Sequence, residues 1–327
     1  MKQLKIVSFI ILMVGLTACE KEIPYTDIEP DPLLVVNGIQ QVGEPARLCV
    51  EKSSFYPEVE TDFRVKDVHV DLYVNGIFKE SLQVRDSVIM EIYWIADENG
   101  YGYETERPHY AFNYCEGEYL LCEGDELRFE VSSSEFEQPA IAETTMPYIP
   151  NVVSFDTVRI TANADGYGGK TIFFSLLLDD PAGKDYYNFF PKEGLAGAIS
   201  KDPVFADFMN IVHVDDLFGG SEYYISGPYN MFNDSYFDGN RYAVSLETSV
   251  YEVFYEPFVL EVSKTDEALY QYKKTFAAQQ YNDNGLLGLF TEPTQVYSNV
   301  KNGVGVVCSQ SLPVTVMIDL GDVLKEK

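Results

Sequence analysis

Short stretches with an apolar residue at every second position are the feature that most limits the fold of this chain. In the clearest stretch, Asp67 to Val74, the apolar face consists of Val68, Val70, Leu72 and Val74. The pair Asn75-Gly76 follows, which readily adopts the positive φ angles of a tight hairpin turn. A similar apolar run from Leu33 to Val36 is expected to stop at Asn37-Gly38. This pattern predicts antiparallel strands joined by tight turns.

Further strands are expected at short intervals along the rest of the chain. They are predicted at 118–122, 127–131, 140–144, 152–161, 171–178, 223–225, 241–246, 258–262, 304–307 and 313–318. Aromatic residues make up 14% of the chain and suit half-buried sheet surfaces. We therefore expect a mainly β protein, with an N-terminal immunoglobulin-like β-sandwich followed by a second β-rich domain with one α-helix.

One segment has helical spacing. Thr265 can cap a helix, and Asp266 and Glu267 suit its first turn. The predicted helix runs from about Asp266 to Gln280, and Leu269, Tyr272, Phe276 and Gln280 lie on one of its faces. Pro147 and Pro150 mark the best domain boundary. The sequence thus divides into a β-sandwich domain at 33–148 and a β-rich domain at 151–327, with the helix near 266–280.

The first nineteen residues have the organisation of a lipoprotein signal peptide, which we assign to 1–18. A short positive segment precedes the apolar run Ile6 to Leu16, which is shorter than the roughly 20 residues of a membrane-spanning helix. The run ends in Leu16-Thr17-Ala18-Cys19, which resembles the lipobox of bacterial lipoproteins. We predict cleavage between Ala18 and Cys19 and attachment of acyl chains to Cys19, which would hold the chain on outer-membrane lipid.

The residues after Cys19 indicate where the anchored protein resides. The next residue is Glu20 rather than an aspartate, the usual signal for retention in the inner membrane, and Lys21 between two acids resembles a surface-export tag of Bacteroidota lipoproteins. Residues 19–32 contain three prolines and read as an extended, lipidated tether. We expect a protein on the outer membrane that faces the cell surface.

The charge of the chain limits its partners. There are 23 Lys and Arg against 52 Asp and Glu, which gives a formal net charge of −29. Such a field repels a phosphate backbone, so nucleic acid is not an expected partner. Acidity is also the usual way to keep an exposed protein soluble.

No motif in the chain predicts catalysis, a metal or a cofactor. The Gly-rich run 164–171 fits a permissive phosphate-loop pattern, but Thr171 opens an apolar strand where the loop requires a helix. The segment 233–240 has some features of a calcium loop, yet Tyr236 occupies a ligand position and Ser245 replaces the final glutamate, so an acidic surface turn is favoured. The three histidines lie far apart. The chain is therefore not predicted to be an enzyme.

Two groups of side chains are candidates for contacts. An aromatic-rich region contains the possible ligand or partner contacts Tyr223, Tyr224, Tyr229, Phe232, Tyr236 and Phe237, although such residues also pack loops onto their own sheet. Besides Cys19 there are four cysteines, and Cys115 with Cys122 is the most local choice for a disulfide. Free, buried thiols are the alternative.

Several ordered motifs also resemble a known family. They are Cys19 to Ile23, Leu34 to Gly38, Ala142 to Pro147, Asp215 to Gly220, the tyrosines Tyr270, Tyr272 and Tyr281, Glu292-Pro293 and Ser298 to Gly305. Together they are similar to Bacteroidota lipoproteins grouped only as a domain of unknown function and often encoded beside TonB-dependent receptors. The resemblance implies no catalytic residues.

From the anchor, the tether and this resemblance, the expected function is that of a binding or accessory module, with a TonB-dependent receptor as a possible partner. A structural or adhesive surface protein is the alternative, and an extracellular hydrolase is less supported.

Overall fold

The computed structural model describes residues 31–54, 61–96, 102–162, 169–192, 199–205, 207, 223–224, 230–250, 257–283 and 295–318. Within these ranges only the backbone is described at 91–96, 102–108, 223–224, 250 and 280–283. The predicted signal peptide, Cys19 and the tether up to residue 30 lie outside the described residues. The described chain is mainly β with a helix, so the predicted fold class is confirmed. The immunoglobulin-like topology stays a prediction.

The first half of the chain forms two sheets that enclose one core. Its strands are β1 (Leu34–Gln41), β2 (Pro45–Lys52), β3 (His69–Val74), β4 (Ile77–Ser81), β5 (Gln83–Ala96), β6 (Gly102–Leu120), β7 (Glu126–Ser132) and β8 (Ala140–Thr145). One sheet has the order β4-β3-β7-β8, and β1, β2, β6 and β5 are neighbours in the other. Alternate side chains of these strands, such as Val70, Leu72 and Phe129, are fully buried because they point between the sheets.

Two Asn-Gly pairs behave differently. Asn75 and Gly76 adopt positive φ angles of 53° and 76° between β3 and β4, which confirms the predicted hairpin turn. Asn37 and Gly38 lie inside β1, so the predicted stop at this pair is wrong. An added Cβ at Gly38 would lie 2.5 Å from the carbonyl oxygen of Arg47, so a neighbouring strand rather than a turn requires this glycine.

Strands β5 and β6 form a long hairpin arm. They pair from Gln83 with Glu116 to Ala96 with Gly102, whereas β2 pairs with β6 only as far as Asn113. The distal part of the arm therefore extends beyond β2. Consecutive apolar side chains on β5 are exposed there, namely Val88, Ile89 and Met90.

The second half adds one further sheet, and this sheet and additional strands of the sheet that contains β1 enclose a second core. Its elements are β9 (Val152–Ala162), β10 (Lys170–Asp179), β11 (Tyr186–Pro191), β12 (Ile199–Ser200), a short 3-10 helix (Pro203–Phe205), β13 (Tyr223–Tyr224), β14 (Met231–Asn233), β15 (Arg241–Val250), β16 (Phe258–Thr265), α1 (Glu267–Asp283), β17 (Val307–Gln310) and β18 (Val314–Ile318). A five-stranded sheet has the order β13-β12-β15-β10-β9. It packs on β11, β14 and β16 through aromatic and aliphatic side chains such as Phe174, Phe189 and Leu260.

Strand β17 joins the two halves, because it runs parallel to β1 and makes β14-β11-β16-β17-β1-β2-β6-β5 one sheet, with β18 on β16. The predicted strand at 304–307 is displaced to 307–310, since Gly305 has a φ of 115° that interrupts an extended strand. Val300 and Val307 lie in the core of the first half. The second half of the sequence therefore contributes residues to the core of the first sandwich. A division of the chain into two domains at 148–151 does not predict this contribution.

Helix α1 is close to the predicted helix, but its cap and buried face differ from the prediction. The residue that caps it is Asp266, whose carboxylate accepts a hydrogen bond from the Leu269 N–H at 2.9 Å, whereas Thr265 ends β16. Leu269 and Tyr270 are buried, while the predicted Phe276 is 37% exposed. In the described ranges no helix is long and apolar enough to cross a membrane.

Candidate functional site

A cleft of about 590 Å³ lies on the five-stranded sheet of the second half. Strand β10 positions its floor, because Ile172, Phe174 and Leu176 point into the core and the intervening Phe173 and Ser175 point outward. Residues of β9, β12 and β15 supply the walls. This volume lies in the range of roughly 300–1,000 Å³ that is typical of small-ligand sites.

The ring of Phe173 forms the centre of the cleft. Arg159 and Glu247 are its register partners on the strands at either side. The guanidinium carbon of Arg159 lies 4.0 Å from the ring centroid, a cation–π contact. On the other side, the Lys201 ammonium lies 3.3 Å from a carboxylate oxygen of Glu247. An apolar floor is thus flanked by two cations, one of which is neutralised.

In this cleft, Arg159 is the residue whose guanidinium donors are available to bind a ligand. It is exposed, and its guanidinium makes no hydrogen bond or ion pair with any residue that the structure describes. A planar guanidinium held on an aromatic ring presents a fork of N–H donors that fits a carboxylate or a phosphate in a bidentate manner. The cleft can therefore hold a small ligand that combines an apolar part with an anionic group.

A second cluster consists of carboxylates in the loops beside β10 and β14. Oxygens of Asp180, Asp234 and Asp238 all lie within 4.8 Å of one another. Each carboxylate accepts a hydrogen bond from the chain: Asp180 from the Tyr187 hydroxyl, Asp234 from the Asp185 N–H at 2.7 Å and Asp238 from the Gly183 N–H at 2.8 Å. We call this cluster of three carboxylates the polar clamp, because its hydrogen bonds hold the loops in place. Carboxylate oxygens are also of the type that binds hard cations.

The pKa values in this clamp reflect burial. Desolvation raises the pKa of Asp234 to about 6, and the neighbouring carboxylates of Asp180 and Asp185 add to the effect. Burial likewise raises the pKa of Asp180, while the hydrogen bond from Tyr187 opposes that shift. The buried Lys264 lies 2.5 Å from Asp185 and supplies a nearby positive charge. Folding thus concentrates negative charge at a site with limited access to water.

The aromatic residues predicted as contacts do not form one exposed surface. Phe232 and Phe237 belong to the second core, with Phe232 at 5.2 Å from the ring of Tyr187, so their predicted surface role is wrong. Tyr236 is 59% exposed. Tyr223 and Tyr224 form β13, their side chains are not among those described, and Tyr229 lies outside the described residues. Aromatic content alone does not separate core rings from contact rings.

The local disulfide predicted between Cys115 and Cys122 is not formed. Cys115 is fully buried in the first core, whereas Cys122 follows the end of β6 and is exposed. The five residue-to-residue steps of strand from Cys115 to Leu120 span roughly 16 Å. The two residues that follow cannot bring Cys122 back to the Cα separation of about 7 Å that a disulfide tolerates. Cys49 and Cys308 are also free.

The sequence did not single out Phe173 and Arg159. The sequence predicts β10 as a strand, but apolar residues on both of its faces do not reveal which face meets solvent. Thr171 lies in β10 rather than at the start of a helix, so the helix that a phosphate loop requires does not follow the Gly-rich run. The predicted anchor residues Ala18 and Cys19 lie outside the described residues.

Two sandwiches that share a nine-stranded sheet, with a cleft on the second, define a mainly β protein that carries a site of small-ligand size. The profile of the family described as Domain of unknown function (DUF4249) matches residues 20–311, and the chain belongs to this family. No curated protein matches the chain. Membership confirms a family without an assigned activity, while the Bacteroidota origin and the link to TonB-dependent receptors stay predictions.

Proposed function

We propose that this chain is an outer-membrane lipoprotein, anchored through acylated Cys19 and facing outward, that binds a small ligand as an accessory module of a TonB-dependent transporter. The observation that carries the binding function is the cleft in which the guanidinium of Arg159, unpaired among the residues that the structure describes, lies on the ring of Phe173. The lipobox and the proline-containing tether support the location, because they would place a folded module clear of the lipid headgroups.

The ligand of the cleft is expected to carry a carboxylate or a phosphate. A thermal-shift screen of the purified chain with dipeptides, citrate and sugar phosphates as probes tests this expectation. At least one probe should raise the melting temperature of the wild type. The shift should be lost in Arg159→Ala and reduced in Arg159→Lys, which keeps the charge but not the fork of donors.

Arg241→Ala is the matched control for this screen. Arg241 is also an exposed arginine of the five-stranded sheet, but it lies outside the cleft and pairs with Asp179 at 3.2 Å. The Arg241→Ala variant should show the same ligand-induced rise in melting temperature as the wild type. A probe that stabilises Arg159→Ala as well as the wild type, or the failure of every anionic probe, would contradict a ligand held by Arg159.

The anchor and the partner require separate tests. The wild type should fractionate with the outer membrane, and Cys19→Ser should release the chain from it, because no acyl chains can then be attached. Affinity capture of the tagged chain from detergent-solubilised outer membranes should recover a TonB-dependent receptor. Continued membrane residence of Cys19→Ser would refute the anchor, and capture without a receptor would refute the accessory role.

A structural or adhesive role is the second candidate, and the hairpin arm favours it. Val88, Ile89 and Met90 are between 44% and 52% exposed on an edge strand, and β5 pairs with no strand except β6 in the described ranges. An exposed apolar edge of this kind is suited to contacts with other proteins. Deletion of the gene should then alter cell attachment while nutrient uptake stays normal, whereas the binding function predicts the opposite result.

A further inference from the structure

A polar pocket lies at the seam between the two halves, away from the cleft. Strands β16 and β17 share a single register pair, Thr265 with Gln310, after which β18 takes over the pairing with β16. The two strands therefore diverge and leave a pocket of about 310 Å³. Its floor is the face of β11 and β16 that carries Asn188 and Ser263, and β1 and β17 supply a wall.

The floor of this pocket is polar and contains a buried oxygen that has no partner among the described residues. Ser263 is only 7% exposed and lines the pocket with its hydroxyl group. Asn188 lies directly opposite Ser263 in the strand register, and its side-chain oxygen Oδ1 is buried without a hydrogen-bond partner within the described chain. Buried polar groups normally find partners, since those left unpaired cost free energy. An unpaired acceptor of this kind beside the Ser263 hydroxyl at the base of one pocket indicates that a ligand supplies hydrogen bonds there.

The wall and the rim complete a neutral site. The side-chain amide of Gln310 donates to the side-chain oxygen Oε1 of Gln41 at 3.3 Å. The side-chain NH₂ of Gln41 and the side-chain oxygen of Gln310 are left without partners among the described residues. Glu261 is paired with Lys192, so the ionic charges at the rim balance. The ring of Phe190, opposite Glu261 in the register, is 52% exposed. The described residues that line the pocket thus offer donors, acceptors and an aromatic surface, and no free cation is among them.

We propose that this pocket binds a neutral sugar ring, one unit of a glycan. Each sugar hydroxyl both donates and accepts a hydrogen bond, and side-chain amides present a donor and an acceptor side by side. The apolar face of a pyranose can pack on an aromatic ring in the position of Phe190. The volume, near the lower limit of roughly 300 Å³ for ligand pockets, suits a single ring. This inference rests on neither the anchor nor the anionic ligand of the cleft.

Titration calorimetry of the full chain in detergent micelles tests the inference. The probes are neutral oligosaccharides of glucose, galactose, mannose and xylose. We expect at least one of them to bind, with an affinity that salt does not change because no charges are paired. Asn188→Leu, which removes the amide at similar size, and Phe190→Ala, which removes an exposed ring, should each weaken binding by about tenfold.

Phe276→Ala is the matched control for loss of an exposed ring. Phe276 lies on α1 outside the pocket and is 37% exposed, so this variant should bind the sugar like the wild type. Melting temperatures of all variants verify that they are folded, and the exposed position of Phe190 makes that variant the safest of the pocket substitutions.

Three outcomes would overturn the sugar site. The first is that no probe binds to the folded wild type at millimolar concentration. The second is that Asn188→Leu and Phe190→Ala bind as tightly as the wild type. The third is that Arg159→Ala abolishes sugar binding while Phe190→Ala retains it, which would place the sugar in the cleft and leave the proposed function intact.

Discussion

Gly305 is a residue at which backbone conformation and packing both demand glycine. Its φ is 115°, and an added Cβ would overlap the carbonyl oxygen of Val36 and lie 2.8 Å from Oδ1 of Asn37. We predict that Gly305→Ala lowers the free energy of unfolding by about 2–3 kcal/mol, because β17 can no longer approach β1. Urea denaturation measures the change.

Gly43→Ala separates the two contributions at Gly305. Gly43 also has a positive φ, of 83°, but an added Cβ there meets nothing within 4 Å. Gly43→Ala should lower the free energy of unfolding by only about 1 kcal/mol, because the unfavourable φ is its one contribution. Equal losses in the two variants would show that packing against Val36 contributes nothing.

Asp234 should make stability depend on pH. Burial raises its folded pKa to about 6 from an ordinary value of 3.8, so the folded protein binds a proton there more tightly than the unfolded chain does. Above pH 6 Asp234 is ionised in both the folded and the unfolded protein, so the buried charge lowers the free energy of unfolding by its full amount. This destabilisation disappears as the pH falls toward 4, because the folded protein then binds a proton at Asp234. When the pH is lowered from 7.5 to 4.5, the free energy of unfolding of the wild type should therefore rise by on the order of 1 kcal/mol relative to that of Asp234→Asn.

Denaturation midpoints of the two proteins at several pH values measure that gain. Asp156→Asn, which alters an exposed carboxylate on β9, is the control and should follow the wild type at every pH. A difference between the wild type and Asp234→Asn that stays constant from pH 7.5 to pH 4.5 would contradict a raised pKa at Asp234.

Local sequence predicts a residue's conformation only where local contacts decide it. Asn75-Gly76 forms the expected turn because β3 and β4 are adjacent in the chain. Asn37-Gly38 has the same letters but continues β1, since Oδ1 of Asn37 accepts a hydrogen bond from the N–H of Val306 at 3.0 Å. The two pairs differ in a contact across 269 residues of chain, which no short sequence window contains.

At the level of elements, Asp266 connects the helix to the first sandwich. One of its carboxylate oxygens caps α1 through the Leu269 N–H, and the other accepts a hydrogen bond from the Thr144 hydroxyl of β8 at 2.6 Å. We predict that Asp266→Ala lowers the free energy of unfolding by about 2–3 kcal/mol, and Thr144→Val by about 1 kcal/mol.

A double-mutant cycle measured by urea denaturation tests this connection. The two substitutions should cost less together than the sum of their separate costs, because Asp266→Ala already removes the bond to Thr144. Strict additivity would show that Thr144 stabilises the fold independently of the helix cap.

The helix and most strands could be predicted because their apolar spacing is visible in the sequence. The buried face of α1 could not, because it depends on what the helix meets. The Tyr270 ring packs 4.8 Å from Tyr186 and its hydroxyl donates to Asp207 at 2.8 Å, so a tyrosine is fully buried. Phe276, which is more apolar, remains partly exposed. Periodicity identifies a helix, but partners on other elements choose its orientation.

For the whole molecule, the candidate sites were the least predictable features. The cleft needs Arg159, Phe173 and Glu247 from three strands, and the seam pocket needs β1 beside β17. Strand order sets both, and strand order is a long-range property that composition and periodicity leave open. Charge and the first nineteen residues suggested a location and a class of partner, but no binding residue.

The shared sheet should make the two halves unfold together. Val307 is fully buried in the first core although it lies near the end of the second half in sequence, so loss of β17 exposes the first core and removes a neighbour of β16. We predict that Val307→Ala costs about 2 kcal/mol and accelerates hydrogen exchange equally in β3 and β10. Met317→Ala, which alters a side chain that is 65% exposed on β18, should change neither strand. Acceleration confined to β3 would mean that the first sandwich opens alone, and that the continuous sheet joins two independently folding units rather than one cooperative molecule.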